Sequence, residues 1–213
     1  MRVLLIGNSH TYFNDMPHIF EEICRCNGIG ASVAMLAHGG QGLGFHVKEP
    51  EALFNIRYGG YDAVVLQHTA HPMGDQKEME QAALGLSRWI YEARSLPVLY
   101  MTWTKRQDGA QAQPDMSLVY RRLGEKIGCP VAPVGEVWWR YHHLFEGDQL
   151  YDQDGEHASV LGSLLAAYTI AGTVVNALGL LPGPLVLPEQ LTAALGCPKA
   201  ERIYQAAGRR TGK

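Results

Sequence analysis

The sequence predicts an α/β fold in which a parallel β-sheet carries helices on both faces. Short apolar runs of strand character alternate along the 213 residues with longer segments of helical pattern. The first run, residues 2–6, ends at Gly7, and a helical pattern follows it. Strand–helix–strand units of this kind form parallel sheets, because the crossover returns each strand beside an earlier one.

Five strands and five helices account for most of the chain. The strands are predicted at 2–6, 31–37, 62–67, 97–102 and 130–134. The helices are predicted at about 15–27, 50–57, 76–94, 115–127 and 158–178. Asn14 or Asp15 is expected to cap the first helix, with Pro17 in its first turn. The glycine-rich segment 38–44 is predicted to be a loop.

Composition favours one globular domain that spans residues 1–213. Hydrophobic residues make up 46% of the chain, charged residues 18%, and the formal net charge is -3. These values exclude a disordered chain, and the balanced charge argues against a nucleic-acid partner. The tail from about residue 200 is predicted to be solvated and partly frayed, and its basic residues are Arg202, Arg209, Arg210 and Lys213.

Several features bear on where the protein resides. The four cysteines lack zinc-site spacing and are expected to be reduced, mostly buried thiols, with Cys24 and Cys26 on different faces of one helix. The apolar N-terminal run is too short for a signal peptide, so we expect a cytoplasmic protein. Residues 158–188 carry no charge, but their polar residues, glycines and prolines favour a buried helix over a membrane span.

Two motifs can together supply a nucleophile and its base. Gly7-Asn8-Ser9-His10 follows the first strand, where the Ser9 hydroxyl would project into the crevice at the carboxyl ends of the strands. Asp154-Gly155-Glu156-His157 precedes the last predicted helix, and an Asp three residues before a His can hold the imidazole in one tautomer. Taken singly, each motif is more typical of a turn or a helix cap.

Two further features fall at the ends of the second and third strands. Gly39-Gly40-Gln41-Gly42 lacks the spacing of a phosphate-binding loop, but its glycines would let a backbone N–H approach a substrate oxygen. The side-chain amide of Gln67 could donate a hydrogen bond to an oxyanion at the same edge of the sheet. The alternatives are an ordinary tight loop and a strand-end residue bonded to a neighbouring loop.

The order of these four features resembles the SGNH (GDSL-like) hydrolases. Gly7-Asn8-Ser9 resembles the family's Gly-Asp-Ser block, Gly40 its second-block glycine, and Asp154-Gly155-Glu156-His157 its Asp-x-x-His block. The usual Gly-x-Asn-Asp block is absent, and Gln67 resembles a branch in which glutamine takes the position of the asparagine. The resemblance implies a flavodoxin-like three-layer α/β/α sandwich with a five-stranded parallel sheet.

The resemblance also implies ester hydrolysis without a metal or another cofactor. Ser9 would be the nucleophile, His157 the general base, and Asp154 the residue that orients His157. The backbone N–H groups of Ser9 and Gly40 and the amide of Gln67 would form the oxyanion hole. We expect a small-molecule or carbohydrate ester as substrate, with acetyl favoured because the short chain leaves little room for a lid. The residues predicted to line the pocket are Asn8, His10, His68 and His71.

Three other functions remain compatible with the sequence. Nine histidines would suit a metal-dependent hydrolase, although no metal-binding motif is present. A catalytically silent module could bind carbohydrate through Trp103, Trp138, Trp139 and Tyr141, unless these aromatic residues belong to the core. The same triad would serve an acyltransferase that passes the acyl group to an alcohol other than water. The sequence leaves the oligomeric state undetermined.

Overall fold

A five-stranded parallel sheet forms the centre of the computed structural model, which describes residues 1–71, 73–181 and 183–208. The strands are β1 (Arg2–Gly7), β2 (Ser32–Ala37), β3 (Ala63–Leu66), β4 (Leu96–Tyr100) and β5 (Val131–Ala132). They lie in the order β2-β1-β3-β4-β5, and every neighbouring pair is parallel. This is the flavodoxin-like order, so the predicted fold class is confirmed.

Helices cover both faces of this sheet. The helices are α1 (Ser9–Tyr12), α2 (Met16–Cys26), α3 (Leu43–His46), α4 (Pro50–Tyr58), α5 (Gln76–Glu92), α6 (Gln113–Ile127), α7 (Val134–Leu144), α8 (Val160–Ala177), α9 (Glu189–Leu195) and α10 (Cys197–Ala206). Buried side chains of α2, α7, α8 and α10 pack on one face, and those of α3, α4, α5 and α6 pack on the other.

Strand β1 shows why the sequence folds into three layers. Val3 and Leu5 belong to the hydrophobic cluster on the α8 face, whereas Leu4 and Ile6 belong to the cluster on the α5 face. Successive side chains of a strand point to opposite faces, so a strand covered on both sides must be apolar at every position. The unbroken apolar run therefore determines a central strand, whose carboxyl end leads directly into Ser9.

The structure departs from the predicted elements around the fifth strand. The sequence predicts a strand at 130–134, but β5 is shorter and α7 begins at Val134. Pro130 and Pro133 lack the N–H that a longer strand requires. The sequence predicts no helix at α7, because its Val, Trp, Tyr and His residues are weak intrinsic helix formers. Burial of Trp138 and Tyr141 in the core overrides that weak propensity.

The aromatic residues proposed as a sugar-stacking surface belong to the core instead. Trp103, Trp138 and Tyr141 are fully buried, and Trp103 stacks on Trp138 with ring centroids 3.9 Å apart. Trp139 is half-buried and donates its indole N–H to the Thr104 hydroxyl. The predicted carbohydrate-binding surface is therefore not formed by these four residues.

The C-terminal region is more ordered than the sequence predicts. A frayed tail is expected from about residue 200, but α10 packs Ala200, Ile203 and Ala206 into the core. Arg202 also pairs with Asp148 at 2.7 Å. This part of the tail prediction is wrong. The apolar face of α10 is too short to be recognised in the sequence, but in the structure it packs against the core. Arg209, Arg210 and Lys213 lie outside the described residues.

Two smaller expectations are also corrected. Asp15 occupies the N-cap position of α2 but makes no capping hydrogen bond, and the Asn14 amide donates to the distant carbonyl of Ala158 instead. Cys24 is buried and Cys26 exposed on one helix, as predicted. Because Cys129 is only half-buried and Cys197 is exposed, the expectation of mostly buried thiols is wrong.

Helix α8 is long and apolar enough to cross a membrane by length and composition alone. In the structure, however, 72% of it is buried inside the fold, between α2 and α7, as a core helix would be. Ser159 caps it by accepting a hydrogen bond from the N–H of Gly162 at 3.2 Å. The absence of a membrane span remains a prediction, and this burial agrees with it.

Close packing at one glycine of α8 provides a test of the fold. A side chain at Gly162 would collide with the Leu150 carbonyl oxygen and the Trp138 ring, whereas Gly172 in the same helix faces open space. We expect Gly162→Ala to lower the free energy of unfolding by about 1–3 kcal/mol through overpacking. Gly172→Ala should raise it by about 0.5–1 kcal/mol through helix propensity. Urea unfolding measures both, and equal effects in the two variants would contradict this packing.

Candidate active site

Ser9 stands at the first position of α1, directly after the buried strand β1. Asn8 caps this short helix by accepting a hydrogen bond from the N–H of His10 at 3.1 Å. The other end of the Asn8 amide donates to the Gln41 carbonyl oxygen at 2.9 Å. Asn8, which is 2% exposed, thus ties the turn that carries Ser9 to the glycine loop after β2.

The Asp154-Gly155-Glu156-His157 segment lies in a loop whose ends are joined by a bridge between Tyr151 and Ala158. One carboxylate oxygen of Asp154 accepts hydrogen bonds from the N–H groups of Glu156 at 2.8 Å and of His157 at 2.9 Å. The other oxygen lies 2.5 Å from His157 Nδ1. His157 Nε2 lies 2.7 Å from Ser9 Oγ. The structure therefore brings the three predicted catalytic residues into one hydrogen-bonded chain.

The charge of Asp154 is set by its hydrogen bonds. Partial burial opposes ionisation, but the bond from the His157 ring and the two backbone N–H groups outweigh it and lower the pKa of Asp154 to about 2. The carboxylate is therefore ionised at neutral pH, where it accepts the proton on Nδ1 of His157. That tautomer leaves Nε2 free to accept the Ser9 hydroxyl proton.

Gly40 contributes backbone to the same cavity as Ser9. Its φ of 71° lies in the left-handed region that favours glycine. Within the described part of the chain, the backbone N–H groups of Ser9 and Gly40 find no hydrogen-bond acceptor. Both residues line the cavity that contains the Ser9 hydroxyl, and unpaired N–H donors in such a cavity suit an oxygen atom that gains negative charge.

Gln67 does not reach the cavity, which corrects the sequence prediction of an oxyanion donor. The residue is fully buried, and its Oε1 accepts hydrogen bonds from the Asn8 N–H at 2.9 Å and from the Thr11 hydroxyl at 3.0 Å. Its Nε2 donates to the carbonyl oxygen of His68. Both ends of the Gln67 amide are therefore occupied by hydrogen bonds within the protein, so the residue holds the turn that carries Ser9 in place and does not face a substrate.

The cavity that contains Ser9 has a volume of about 430 Å³. Asn8, His10 and His71 line it as predicted, and so do Ser9, Gly40 and His157, which the sequence analysis predicted as catalytic or oxyanion-hole residues. The lining residues that the sequence analysis missed are Thr69, Ala70, Gly74 and Glu156. Thr69, Ala70 and Gly74 follow the third strand in the chain, and Glu156 lies between Asp154 and His157. Their position next to predicted site residues was the one sequence feature that could have identified them. Most of the lining side chains are polar.

A larger cavity of about 600 Å³ lies between α7, α8 and the end of the described chain. Val137, Tyr168 and Leu185 are among its mainly apolar walls, and it contains none of the candidate site residues. Size would favour it as a ligand site, but the hydrogen-bonded chain of Ser9, His157 and Asp154 lies elsewhere. Chemistry, and not volume, therefore identifies the candidate active site.

The histidines near Ser9 differ in their roles. His68, predicted to line the pocket, is 4% exposed and accepts a hydrogen bond from the Leu43 N–H at 3.1 Å, so it anchors α3 and that prediction is corrected. His10 and His71 do line the cavity, with ring centroids 5.1 Å apart. Burial lowers the pKa of His10 to about 3, assisted by His71 and His157, and burial lowers the pKa of His71 to about 4. Both rings are therefore neutral at neutral pH.

The nine histidines do not assemble a metal-ligand cluster in the part of the chain that the structure describes. Across residues 1–71, 73–181 and 183–208, no group of three or more His, Cys, Asp or Glu side chains is arranged to hold a metal ion.

Comparison with solved structures identifies the class of protein. A protein from Slackia heliotrinireducens that has been assigned to the SGNH hydrolases shares 30% sequence identity, over 81% of this chain and 98% of that one, with a TM-score of 0.69. The chain therefore belongs to the SGNH hydrolase family, and it is a hydrolase. This membership favours an enzyme over the catalytically silent binding module.

More distant structures share the fold. A DUF4886 family protein from Bacteroides uniformis has 16% identity and a TM-score of 0.76, over 97% of this chain and 93% of that one. A carbohydrate esterase family 3 protein from Talaromyces cellulolyticus has 11% identity and a TM-score of 0.66, over 85% of this chain and 99% of that one. No protein-family model and no curated protein matches the chain.

The buried position of Gln67 predicts a stability effect. Gln67→Ala removes the acceptor of the Asn8 N–H and should lower the free energy of unfolding by about 1–3 kcal/mol, as measured in urea. Gln81→Ala, at an exposed position of α5, is the control and should change it little. An amide that served only as an oxyanion donor would instead leave stability unchanged while kcat fell by about 10²–10³.

The neutral histidines predict a pH dependence of stability. The folded-state pKa values of His10 and His71, about 3 and about 4, lie below the usual 6.5, so stability is complete above pH 6.5 and is lost as the pH falls. The unfolded chain then binds protons that the folded protein does not, which costs up to about 1.4 kcal/mol per pH unit for each histidine. Chemical unfolding between pH 7 and about pH 4 measures the slope.

His10→Phe cannot titrate and should flatten this pH profile. His143→Phe, at an exposed position of α7, is the matched control and should keep the slope of the natural protein. Parallel profiles for the natural protein and His10→Phe would contradict a neutral, buried His10.

Proposed function

We propose that the protein is a serine esterase that hydrolyses small acyl esters through a covalent acyl-enzyme. The observation that carries the proposal is the hydrogen-bonded chain of the three residues. In it, Nε2 of His157 lies 2.7 Å from Ser9 Oγ, and Nδ1 lies 2.5 Å from a carboxylate oxygen of Asp154. These distances suit a nucleophile, a general base and a residue that orients the base. Membership of the SGNH hydrolases agrees with this chemistry.

The first half of the reaction forms the acyl-enzyme. Ser9 Oγ attacks the ester carbonyl carbon while its proton passes to Nε2 of His157, and Asp154 stabilises the imidazolium. The carbonyl oxygen becomes an oxyanion, which the N–H groups of Ser9 and Gly40 would bind. The tetrahedral intermediate collapses with cleavage of the ester C–O bond, and His157 returns the proton to the departing alcohol.

The second half regenerates Ser9. Water attacks the acyl-enzyme while His157 takes a proton from it, and a second tetrahedral intermediate forms. That intermediate collapses with cleavage of the bond to Ser9 Oγ, His157 returns the proton to Oγ, and the carboxylic acid leaves. An alcohol in place of water would give acyl transfer by the same steps. The proposal favours hydrolysis as the family's reaction, and the assay below separates the two by its products.

The cavity supports a small acyl group joined to a polar alcohol. A volume of about 430 Å³ lies at the low end of the usual range for ligand sites. Thr69, His71 and Glu156 offer hydrogen-bonding groups, and no Leu, Ile, Val, Phe or Met side chain is among its described lining residues. A long fatty acyl chain would find no apolar wall there. We therefore propose an acetyl ester, with a carbohydrate or another polyol as the alcohol.

Replacement of the nucleophile tests the proposal. Ser9→Ala should lower hydrolysis of short aryl esters and acetylated sugars by at least ~10³-fold while thermal unfolding stays close to that of the natural protein. Ser32→Ala, at an exposed position of β2, is the control and should keep full activity. A fluorophosphonate should label the natural protein and Ser32→Ala but not Ser9→Ala.

A panel of esters with acyl chains of increasing length tests the substrate proposal. The assay should quantify both the free acid and any acylated alcohol added as an acceptor. A preference for long acyl chains would contradict the acetyl proposal, and acylated acceptor as the main product would contradict hydrolysis. Full activity in Ser9→Ala would contradict the serine mechanism itself.

A further inference from the structure

The imidazole ring of His157 is held on both faces as well as at its two nitrogens. Phe13 stacks on one face, with ring centroids 4.1 Å apart and the planes inclined by 12°. His10 also stacks on the imidazole, at 4.9 Å and 19°. Because Phe13 and His10 form no ring contact with each other in the described part of the chain, the two rings must lie on opposite faces. With Asp154 and Ser9 bonded in the plane of the ring, contacts on every side fix its orientation.

The turn that follows Phe13 is strained. Asn14 and Asp15 have φ values of 55° and 53°, in the left-handed region that residues other than glycine rarely adopt. Two such residues in succession persist only where the surrounding structure holds them, and strain of this kind clusters at functional sites. This turn directly follows Phe13, whose ring stacks on His157.

Hydrogen bonds connect this turn to the segment that carries His157. The side-chain amide of Asn14 donates to the Ala158 carbonyl oxygen at 2.8 Å and to Ser163 Oγ at 2.9 Å. Ser163 Oγ in turn donates to the Phe13 carbonyl oxygen at 3.3 Å. Because Ala158 directly follows His157, these bonds tie the backbone at Phe13 to the segment that carries the imidazole.

We propose that Phe13 and His10 form an aromatic clamp that positions His157 and that the Phe13 face stabilises the positive charge His157 gains from the Ser9 proton. The inference rests on the proposed function, because during catalysis that charge forms when Ser9 attacks. Phe13 and His10 are thus positioning residues, because they act through His157.

The electrostatics of the clamp follow from ring chemistry. The face of a phenyl ring attracts a cation whose centre lies within about 6 Å, and the Phe13–His157 separation of 4.1 Å satisfies this condition. His10 must be neutral, because a second cation stacked at 4.9 Å would oppose the imidazolium. Burial provides this neutrality, since it lowers the pKa of His10 to about 3.

Other charged groups surround the clamp and stay constant in the proposed test. Asp154 contacts His157 directly, and Glu156 lines the same cavity with its carboxylate paired to Lys105. His71 lies beside His10 and is neutral at neutral pH. A change at Phe13 alters none of these groups, so a shift in the pH profile would report the loss of the aromatic face.

The test compares Phe13→Leu with Phe13→Tyr. Leucine fills similar space without an aromatic face, so kcat should fall by about 3–30-fold while KM changes less than about twofold. The acid limb of the kcat/KM profile should also move to lower pH, because the protonated form of the base loses stabilisation. Tyrosine restores the face and should recover most of the lost rate. Phe54→Leu makes the same change at an exposed position of α4 and should leave the kinetics unchanged.

Several outcomes would overturn the clamp. An unchanged kcat in Phe13→Leu would overturn it. A lower kcat without movement of the acid limb would also overturn it, because that result is expected if Phe13 only fills space. Failure of tyrosine to recover the rate would contradict the aromatic requirement. A second comparison uses His10. His10→Ala removes the ring and should lower kcat, and His10→Phe, which restores an aromatic ring, should recover most of that loss.

The rate of labelling by a fluorophosphonate separates this inference from the proposed substrate. Labelling uses the same proton transfer from Ser9 to His157 but needs no ester. A protein that is labelled at Ser9 and yet hydrolyses no ester contradicts the substrate proposal, and the Phe13 variants then test the clamp through their labelling rates. A protein that is neither labelled nor active contradicts both proposals, because the clamp acts only on that proton transfer.

Discussion

The hydrogen bond between Ser9 Oγ and His157 Nε2 joins segments 148 residues apart in the chain, and much of the structure serves to hold its two ends. Strand β1, buried on both faces, places Ser9 at the carboxyl edge of the sheet. The bridge between Tyr151 and Ala158 places His157 opposite it. Ser9 begins the four-residue helix α1 and His157 lies in a loop, so their alignment depends on the packed sheet and on α8. Small displacements at such a contact carry large costs in rate.

A network of buried side-chain amides reinforces the serine end of this contact. Gln67 accepts from the Asn8 N–H and the Thr11 hydroxyl, and Asn8 in turn reaches the carbonyl of Gln41. Buried polar groups are costly unless they are paired, and a network in which each partner is satisfied is correspondingly rigid. The turn that carries Ser9, the end of β3 and the glycine loop are therefore fixed relative to one another by hydrogen bonds as well as by packing.

The histidines beside His157 are kept neutral by burial and not by hydrogen bonds. Burial keeps His10 and His71 neutral, so they add polar, aromatic surface to the cavity without adding charge. Among the described histidines that line the cavity, His157 is the one whose ring nitrogen hydrogen-bonds a carboxylate. Similar side chains thus serve different purposes according to their neighbours. A charged His10 would oppose the imidazolium that the proposed mechanism requires, which links burial at this position to function.

The sequence by itself determined the parts of the protein that depend on neighbours in the chain. Apolar runs specified the buried strands and their order of appearance, and Asp154 reaches His157 because the two are three residues apart in one turn. Only the tertiary structure decided the direction of Gln67, the anchoring role of His68, the helix at α7 and the stacking of Phe13 on His157. Each of these depends on contacts between distant segments, and such contacts leave no periodic or local signal in the residues that make them.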